Sequence, residues 1–97
     1  MKLNGKQRKQ LRALAHHLEP VVKVGKQGLT PSLAKAIATA LNDHELIKVK
    51  FIDHKDEKRD IITAIEAQTG AHVAGLVGNI VILYKQSDIE EKRHIRL

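Results

Sequence analysis

Residues 21–31 contain a strand-to-helix junction in one short run, Val21-Val22-Lys23-Val24-Gly25-Lys26-Gln27-Gly28-Leu29-Thr30-Pro31. The three valines are β-branched and predict a short buried strand. The two glycines interrupt the run and permit backbone angles that are closed to other residues. Thr30 is a favourable N-cap, and Pro31 suits the first position of a helix. The run therefore predicts a strand, a tight loop and the start of a helix.

The predicted loop, Gly25-Lys26-Gln27-Gly28, has the features of an anion-binding turn. It carries a lysine at its tip, and a helix N-terminus follows directly. Backbone N–H groups and the positive end of a helix together favour an anion such as phosphate. Because a G-x-x-G pattern also occurs in ordinary strand-to-helix turns, the rest of the chain has to distinguish the two interpretations.

Length and composition restrict the class of protein. A chain of 97 residues is long enough for one domain with one modest core. It contains no cysteine, which excludes a disulfide framework and a thiolate metal site. No apolar run reaches the ~18 residues of a membrane span, and the first residues lack the apolar core of a signal peptide. We expect a soluble, cytoplasmic and monomeric protein.

The positive charge is concentrated near the N-terminus. The whole chain has a net charge of +6, and residues 1–28 alone account for it, since they contain one acid, Glu19. The basic residues of this segment are Lys2, Lys6, Arg8, Lys9, Arg12, Lys23 and Lys26. A basic block beside a balanced remainder indicates a surface for a polyanion, although a merely solvated basic helix would have the same composition.

Residues 4–17 have the periodicity of an amphipathic helix with Asn4 as its N-cap. The predicted apolar face consists of Leu11, Leu14, Ala15 and Leu18. The opposite arc is a basic stripe of Arg8, Lys9, Arg12 and His16, with Lys6 on its flank. Such a stripe can follow a phosphate backbone, and it could also bind an acidic protein. Binding to a membrane surface is disfavoured because the helix has no Trp or Phe to insert.

The remaining elements follow from periodicity and turn residues. We expect one helix over about 31–43 and another that residues 53–60 lead into and that ends at about 69. We expect strands over 45–52, 71–77 and 80–84. The last two strands form a hairpin through Gly78-Asn79. Lys48 and Lys50 face away from the core side of the 45–52 strand, either to protect an edge or to bind a polyanion. The acids among residues 53–60 are interpreted as stabilising the next helix dipole, with Lys58 and Arg59 neutralising them.

The predicted element order is α-β-α-β-α-β-β, an α/β domain with a four-stranded mixed sheet and helices packed on it. Strand–helix–strand crossovers make the first three strands parallel, and the hairpin adds an antiparallel fourth. The carboxyl ends of the three parallel strands then share one sheet edge. That edge carries residues 25–28, 53–59 and 78–79, and ligands of open α/β sheets favour it.

Four segments of the chain carry a resemblance to a known family: Leu3 to Leu14, Val21 to Thr30, Leu46 to Lys50, and Gly70 to Tyr84 with its Val77-Gly78-Asn79 turn. In order and spacing they resemble the CRM domain (chloroplast RNA splicing and ribosome maturation), in its stand-alone bacterial YhbY-like form. The resemblance covers about residues 1–85, which we expect to be the RNA-binding domain. Residues 86–97 form a charged tail outside it.

The resemblance implies a fold similar to the C-terminal domain of translation initiation factor 3 and RNA binding through the G-x-x-G loop and the adjoining basic surface. For bacterial single-domain members it also implies association with ribosomal RNA in precursors of the large ribosomal subunit. The expected RNA-binding residues are Gly25, Lys26, Gln27, Gly28, Lys6, Arg8, Lys9, Arg12 and Lys23.

Other classes of function remain to be compared with RNA binding. The alternative is a protein–protein adaptor whose basic N-terminal helix binds an acidic partner. An enzyme is not expected, because the chain has no cysteine, no Ser/His/Asp pairing and no metal-ligand cluster. We therefore expect no catalytic residue, no cofactor, no metal and no small-molecule substrate.

Overall fold

The computed structural model describes residues 2–97, which form three α-helices and four β-strands in the predicted order. The helices are α1 (Gly5–Leu14), α2 (Pro31–His44) and α3 (Lys58–Thr69), and the strands are β1 (Pro20–Val24), β2 (Leu46–Phe51), β3 (His72–Val77) and β4 (Ile80–Tyr84). Short 3₁₀ helices cover Ala15–His17, Lys55–Glu57 and Glu90–Lys92. Among these residues, no helix has both the length and the apolar composition needed to cross a membrane.

The strands form one mixed sheet in the order β1-β2-β4-β3. Strands β1 and β2 are parallel, and β4 is antiparallel to both of its neighbours, β2 and β3. Strands β1, β2 and β3 therefore point in the same direction, as the sequence predicts. Their carboxyl ends lie at one edge of the sheet, together with the turn that joins β3 to β4.

The two faces of the sheet are covered by different helices. Helices α2 and α3 pack on one face, over a core that includes Val24, Ile37, Leu41, Ile47, Val49, Phe51, Ile62, Ile65, Val81 and Leu83. Helix α1 packs on the other face, over a smaller core of Leu3, Leu11, Ala15, Leu46, Ala74, Ile82 and Tyr84. Since β4 contributes residues to both cores, it is the covered central strand that its continuous apolar run predicts.

The helix starts follow the predicted capping chemistry. The side chain of Asn4 accepts a hydrogen bond from the Gln7 N–H, and the Gln7 side chain accepts one from the Asn4 N–H, which completes a capping box. The Thr30 hydroxyl accepts a hydrogen bond from the Leu33 N–H at 3.1 Å, and Pro31 is the first helical residue. The start of α2, directly behind the glycine loop, is therefore fixed by local interactions.

Two parts of the predicted core lie at the surface. Leu14 and Leu18 are 49% and 37% exposed, so their assignment to the buried face of the first helix is wrong. Leu11 and Ala15 face the sheet, which leaves Leu14 and Leu18 on one flank of this N-terminal segment. Strand β1 is an edge strand rather than a buried one, and Val21 on it is 53% exposed. Valine content favours a pleated surface but does not fix a strand's place in the sheet.

Residues 86–97 lie against the helices rather than extending freely. The Ser87 hydroxyl donates to the Asn42 carbonyl at 2.6 Å, and Gln10 on α1 donates to the Arg96 carbonyl at 2.7 Å. Ile95 packs against the core beneath α1. The division of the chain into a domain of residues 1–85 and a tail remains a prediction.

Glu45 holds this C-terminal segment, although the sequence analysis placed it at the start of a strand. It is the C-cap residue of α2, with a φ of 64° and a fully buried side chain. Its carboxylate accepts hydrogen bonds from the backbone N–H groups of Ser87, His94 and Ile95 at 2.9, 2.7 and 3.1 Å. Burial raises the pKa of this carboxyl, but the N–H donors outweigh it, so the pKa lies below its usual value.

We expect Glu45→Gln to lower the free energy of unfolding by about 2–4 kcal/mol at neutral pH, because an amide cannot accept from all three N–H donors without opposing its own NH₂ group. Folding lowers the pKa of Glu45. Its contribution to the free energy of unfolding is therefore complete above about pH 4.3 and is lost as the pH falls through the pKa of Glu45 in the folded protein. Urea unfolding at several pH values measures both effects. The exposed Glu91 is the control, and a Glu45→Gln variant as stable as Glu91→Gln would contradict the assignment.

Candidate nucleic-acid interface

The glycine loop is a tight turn with an exposed tip. The Gly28 N–H donates to the Gly25 carbonyl at 3.0 Å, and Gly28 has a φ of +65°, which favours glycine. The side chains of Lys26 and Gln27 are exposed. Within residues 2–97, the N–H groups of Gln27 and Leu29 donate to no protein acceptor. The loop therefore presents a charged side chain and backbone donors just before the N-terminus of α2.

The three loops that the sequence predicts at one edge of the sheet do meet there. The N–H of Ile52 donates to the Val24 carbonyl at 3.0 Å, which joins the exits of β1 and β2. The N–H of Phe51 donates to the Asn79 carbonyl at 2.7 Å, which joins β2 to the hairpin turn. Lys58 donates to the Gly78 carbonyl at 3.0 Å and to Asn79 Oδ1 at 3.2 Å. The loop edge, residues 25–28, 52–58 and 78–79, is thus one connected surface.

His54 connects the glycine loop to the exit of β2. Its Nε2 atom lies 2.6 Å from the Lys26 carbonyl, an acceptor, so Nε2 carries the proton. The backbone of His54 is left-handed, with a φ of 54°, and its ring lies 3.8 Å from the place that a Cβ on Gly28 would occupy. The hydrogen bond to the Lys26 carbonyl raises the pKa of His54, burial opposes this, and Asp53 and Glu57 add to the increase. His54 therefore restrains the loop and adds positive charge as the pH falls.

The basic stripe on α1 is divided by the way the helix packs. Arg12 lies across β3 and donates to the Ala74 carbonyl at 3.0 Å. Arg8 is half-buried and donates to the Leu3 carbonyl at 2.7 Å. Lys9 is exposed on the outer side of the helix, and Lys6 projects about a third of a helical turn away from Arg12. The stripe therefore divides into Arg8 and Arg12, which donate to backbone carbonyls, and Lys6 and Lys9, which are exposed neighbours three residues apart on the helix.

Three lysines of the sheet lie on the same face as α1. Val22, Val24, Val49 and Phe51 point toward α2 and α3, so the alternating residues Lys23, Lys48 and Lys50 point the other way. Lys23 and Lys50 are register partners on adjacent strands, and both are exposed. Lys48 donates to the Leu18 carbonyl at 3.0 Å. Strand β2 is interior to the sheet, so its two lysines do not protect an edge.

The acidic residues avoid this face. Helix α1 and the four strands contain no aspartate or glutamate. The acids lie instead in α2, α3, the connections and the C-terminal segment. The side chains that α1 and the strands place on this side of the sheet are therefore neutral or positive, and this surface adjoins the loop edge at the carboxyl ends of β1 and β2.

Two residues of the loop edge, His54 and Lys58, have roles that their sequence neighbours do not indicate. His54 gives no local signal, because its role depends on the Lys26 carbonyl, 28 positions earlier in the chain. Lys58 was expected to neutralise neighbouring acids, but it binds the hairpin turn instead. The predicted convergence of the three loops does indicate that the segments of both residues come within contact distance of the other loops.

The site contains little that would support other chemistry. Within residues 2–97, no group of three or more His, Asp or Glu side chains is arranged to hold a metal ion. Phe51 and Tyr84 are buried, as expected, so neither is available as a stacking surface. The exposed side chains and N–H donors can contact phosphate groups.

The chain is similar to a known domain family and to named bacterial proteins. Residues 3–85 match the CRS1 / YhbY (CRM) domain family. The chain is 38% identical over 96 residues to the Bacillus subtilis "Probable RNA-binding protein YqeI", with 98% of each chain covered. It is 45% identical over 87 residues to a Haemophilus influenzae protein named "RNA-binding protein", covering 89% of this chain and 88% of that one.

A solved structure shows the same fold. The solution structure of the Staphylococcus aureus protein SAV1595, described as a candidate RNA-binding protein, superposes with a TM-score of 0.79 at 28% sequence identity. The superposition covers 97% of this chain and 99% of the other. Since the family match spans nearly the whole chain, the protein belongs to the CRS1/YhbY (CRM) domain family.

Proposed function

We propose that this protein binds RNA through the glycine loop and the basic surface that adjoins it. The observation that carries the proposal is the geometry of the loop edge, where His54 restrains a turn that presents Lys26 and backbone N–H groups in front of α2. Such a turn matches the shape and charge of a phosphate group. Three relatives from different bacteria carry names that refer to RNA binding, which supports the same conclusion.

The mode of binding follows from the residue types. With both aromatic residues buried, recognition depends on phosphate contacts and on RNA shape rather than on an aromatic platform. The RNA that we propose is ribosomal RNA in precursors of the large ribosomal subunit, as the chain's resemblance to stand-alone bacterial CRM proteins implies. Crosslinking in cells followed by sequencing of the attached RNA tests that identity, and recovery of unrelated RNAs alone would contradict it.

An adaptor function is less well supported by the structure. A cavity of about 620 Å³ has exposed Leu14, Leu18 and Val21 in its lining, as a protein partner would require. It lies on the flank of α1 opposite to Arg12, however, because Gln10 and Leu14 in its lining are each about 200° around the helix from Arg12. The basic stripe and this apolar cavity therefore do not form one surface for an acidic partner.

The double substitution Lys26→Glu with Gln27→Glu places two carboxylates where the proposal puts a phosphate. We expect RNA affinity to fall by about 2–4 kcal/mol, or roughly 30-fold to 1000-fold in Kd, through lost charge-assisted contacts and repulsion. Fluorescence anisotropy with labelled RNA measures the change.

The matched control changes the same residue types on the two helices that cover the sheet face opposite to α1. Lys35 on α2 and Gln68 on α3 are both exposed, so Lys35→Glu with Gln68→Glu alters the net charge equally. We expect this control to lose far less affinity than the loop variant. Equal losses from the two double variants would remove the loop from the binding site.

RNA binding should also depend on pH through His54. Because the pKa of His54 is raised in the folded protein, its charged form contributes fully below about pH 6.5 and is lost as the pH rises through the raised value. We expect affinity to decrease between about pH 6 and pH 8. In a His54→Gln variant the introduced amide can donate to the Lys26 carbonyl without titrating, so this variant should show a smaller decrease. Identical pH profiles would exclude a role for His54.

The salt dependence of binding distinguishes a shaped site from general attraction. If about five phosphates are neutralised, the slope of log K against log salt for a single strand is near −3.5. We expect Lys9→Ala and Lys26→Ala each to flatten it by about 0.7, whereas Lys35→Ala on α2 should not. Equal changes in all three variants would indicate diffuse attraction by net charge.

A further inference from the structure

We infer that the uncovered part of the sheet on the α1 side binds a single-stranded segment of the RNA and takes one unpaired base into a cleft between α1 and the sheet. This inference rests on the proposed function and extends it. Helix α1 lies over β3, β4 and the start of β2, where its core residues are. The carboxyl halves of β1 and β2 have no helix over them on this side.

The open half of the sheet is lined by cations. Lys23 and Lys50 are side by side on adjacent parallel strands, and Lys48 lies two residues before Lys50 on the same face. Neighbouring exposed lysines repel one another, and no acid on α1 or on the strands offsets them. A bound polyanion would remove this repulsion, and its phosphates would be spaced along the row of lysines.

A cleft with an apolar floor lies at the end of this row. Its volume is about 230 Å³, and it is lined by Arg12, His16, Lys48, Val77, Ile80 and Ile82. Val77 is 65% exposed, although it is a large apolar residue in a strand. The lining of the cleft thus combines apolar side chains with cationic or imidazole groups, a combination that suits a base and its phosphate.

Arg12 is held in a position from which its guanidinium can contact a base. It donates to the Ala74 carbonyl at 3.0 Å, and its side chain lies over Gly75, where a Cβ would be only 2.7 Å from Arg12 Cδ. The absence of a side chain at Gly75 is therefore what allows Arg12 to lie flat on β3. A planar guanidinium fixed in this way offers a stacking surface that the buried aromatic residues cannot provide.

The shape of the cleft selects single strands. In a duplex both faces of each base are stacked and its pairing edge is occupied, so the apolar floor would remain empty. An unpaired base can turn into the cleft while its neighbours' phosphates contact the lysines. The glycine loop follows β1 directly, and Lys23, the register partner of Lys50, lies only two residues before Gly25. One strand of RNA can therefore extend from the loop across the sheet to the cleft.

A gain of stacking at Val77 tests the inference. We expect Val77→Tyr to tighten binding of a short oligouridine by about fivefold or more, because an added aromatic ring stacks on an unpaired base, and to leave binding of a short RNA duplex unchanged. The matched control is Val21→Tyr, since Val21 is also an exposed valine of a strand but lines the other cavity. Equal effects of the two variants, or equal effects on single strand and duplex, would overturn the inference.

A loss of charge gives the complementary test. Lys50→Ala should weaken oligouridine binding about threefold or more, while Lys35→Ala on α2 should leave it unchanged. If Lys26→Glu with Gln27→Glu abolishes binding but neither Lys50→Ala nor Val77→Tyr alters it, the sheet surface is not used and the proposed function still stands. If the parent protein binds neither probe, the proposed function fails and the inference fails with it.

Discussion

The position of β4 between β2 and β3 is the constraint on which the rest of the structure depends. Because β4 is antiparallel to both neighbours, β3 has the same direction as β1 and β2, and three connections are brought to one edge. Its side chains alternate between the two cores, with Val81 and Leu83 on one side and Ile82 and Tyr84 on the other. A single apolar strand thereby holds helices on both faces and also places the hairpin turn beside the exit of β2.

The features that could be predicted from sequence are those with local causes. The capping residues Asn4 and Thr30, the glycine loop and the Gly78-Asn79 turn each depend on neighbours within a few positions. The shared loop edge was also predictable, since it follows from the common direction that strand–helix–strand crossovers give to β1, β2 and β3 rather than from any side chain.

The features that could not be predicted depend on partners distant in sequence. Glu45 was placed in a strand because its own neighbours favour one. Its buried carboxylate accepts hydrogen bonds from the backbone N–H groups of Ser87, His94 and Ile95, which are distant in sequence. Leu14 and Leu18 fit the helical periodicity of Leu11, yet the sheet beneath α1 covers only part of the apolar arc. His54 acts on the Lys26 carbonyl from a left-handed backbone position that no residue pattern indicates. In each case tertiary contacts outweigh the local preference.

The charges at the start of α1 do not stabilise the helix, and they suit the polyanion binding that is proposed for this face. Acidic residues stabilise the first turn of a helix and basic residues oppose its dipole, but α1 has no acid there and carries Lys6 and Arg8 instead. Its capping box offsets part of that cost, because it satisfies backbone donors without adding negative charge. Helix α3 also begins with two cations, Lys58 and Arg59, but Asp60 in its first turn and the preceding Asp56 and Glu57 offset them. The cations at the start of α3 are thus balanced by acids close in sequence, whereas those at the start of α1 are not, and α1 lies on the face where Lys23 and Lys50 are also exposed.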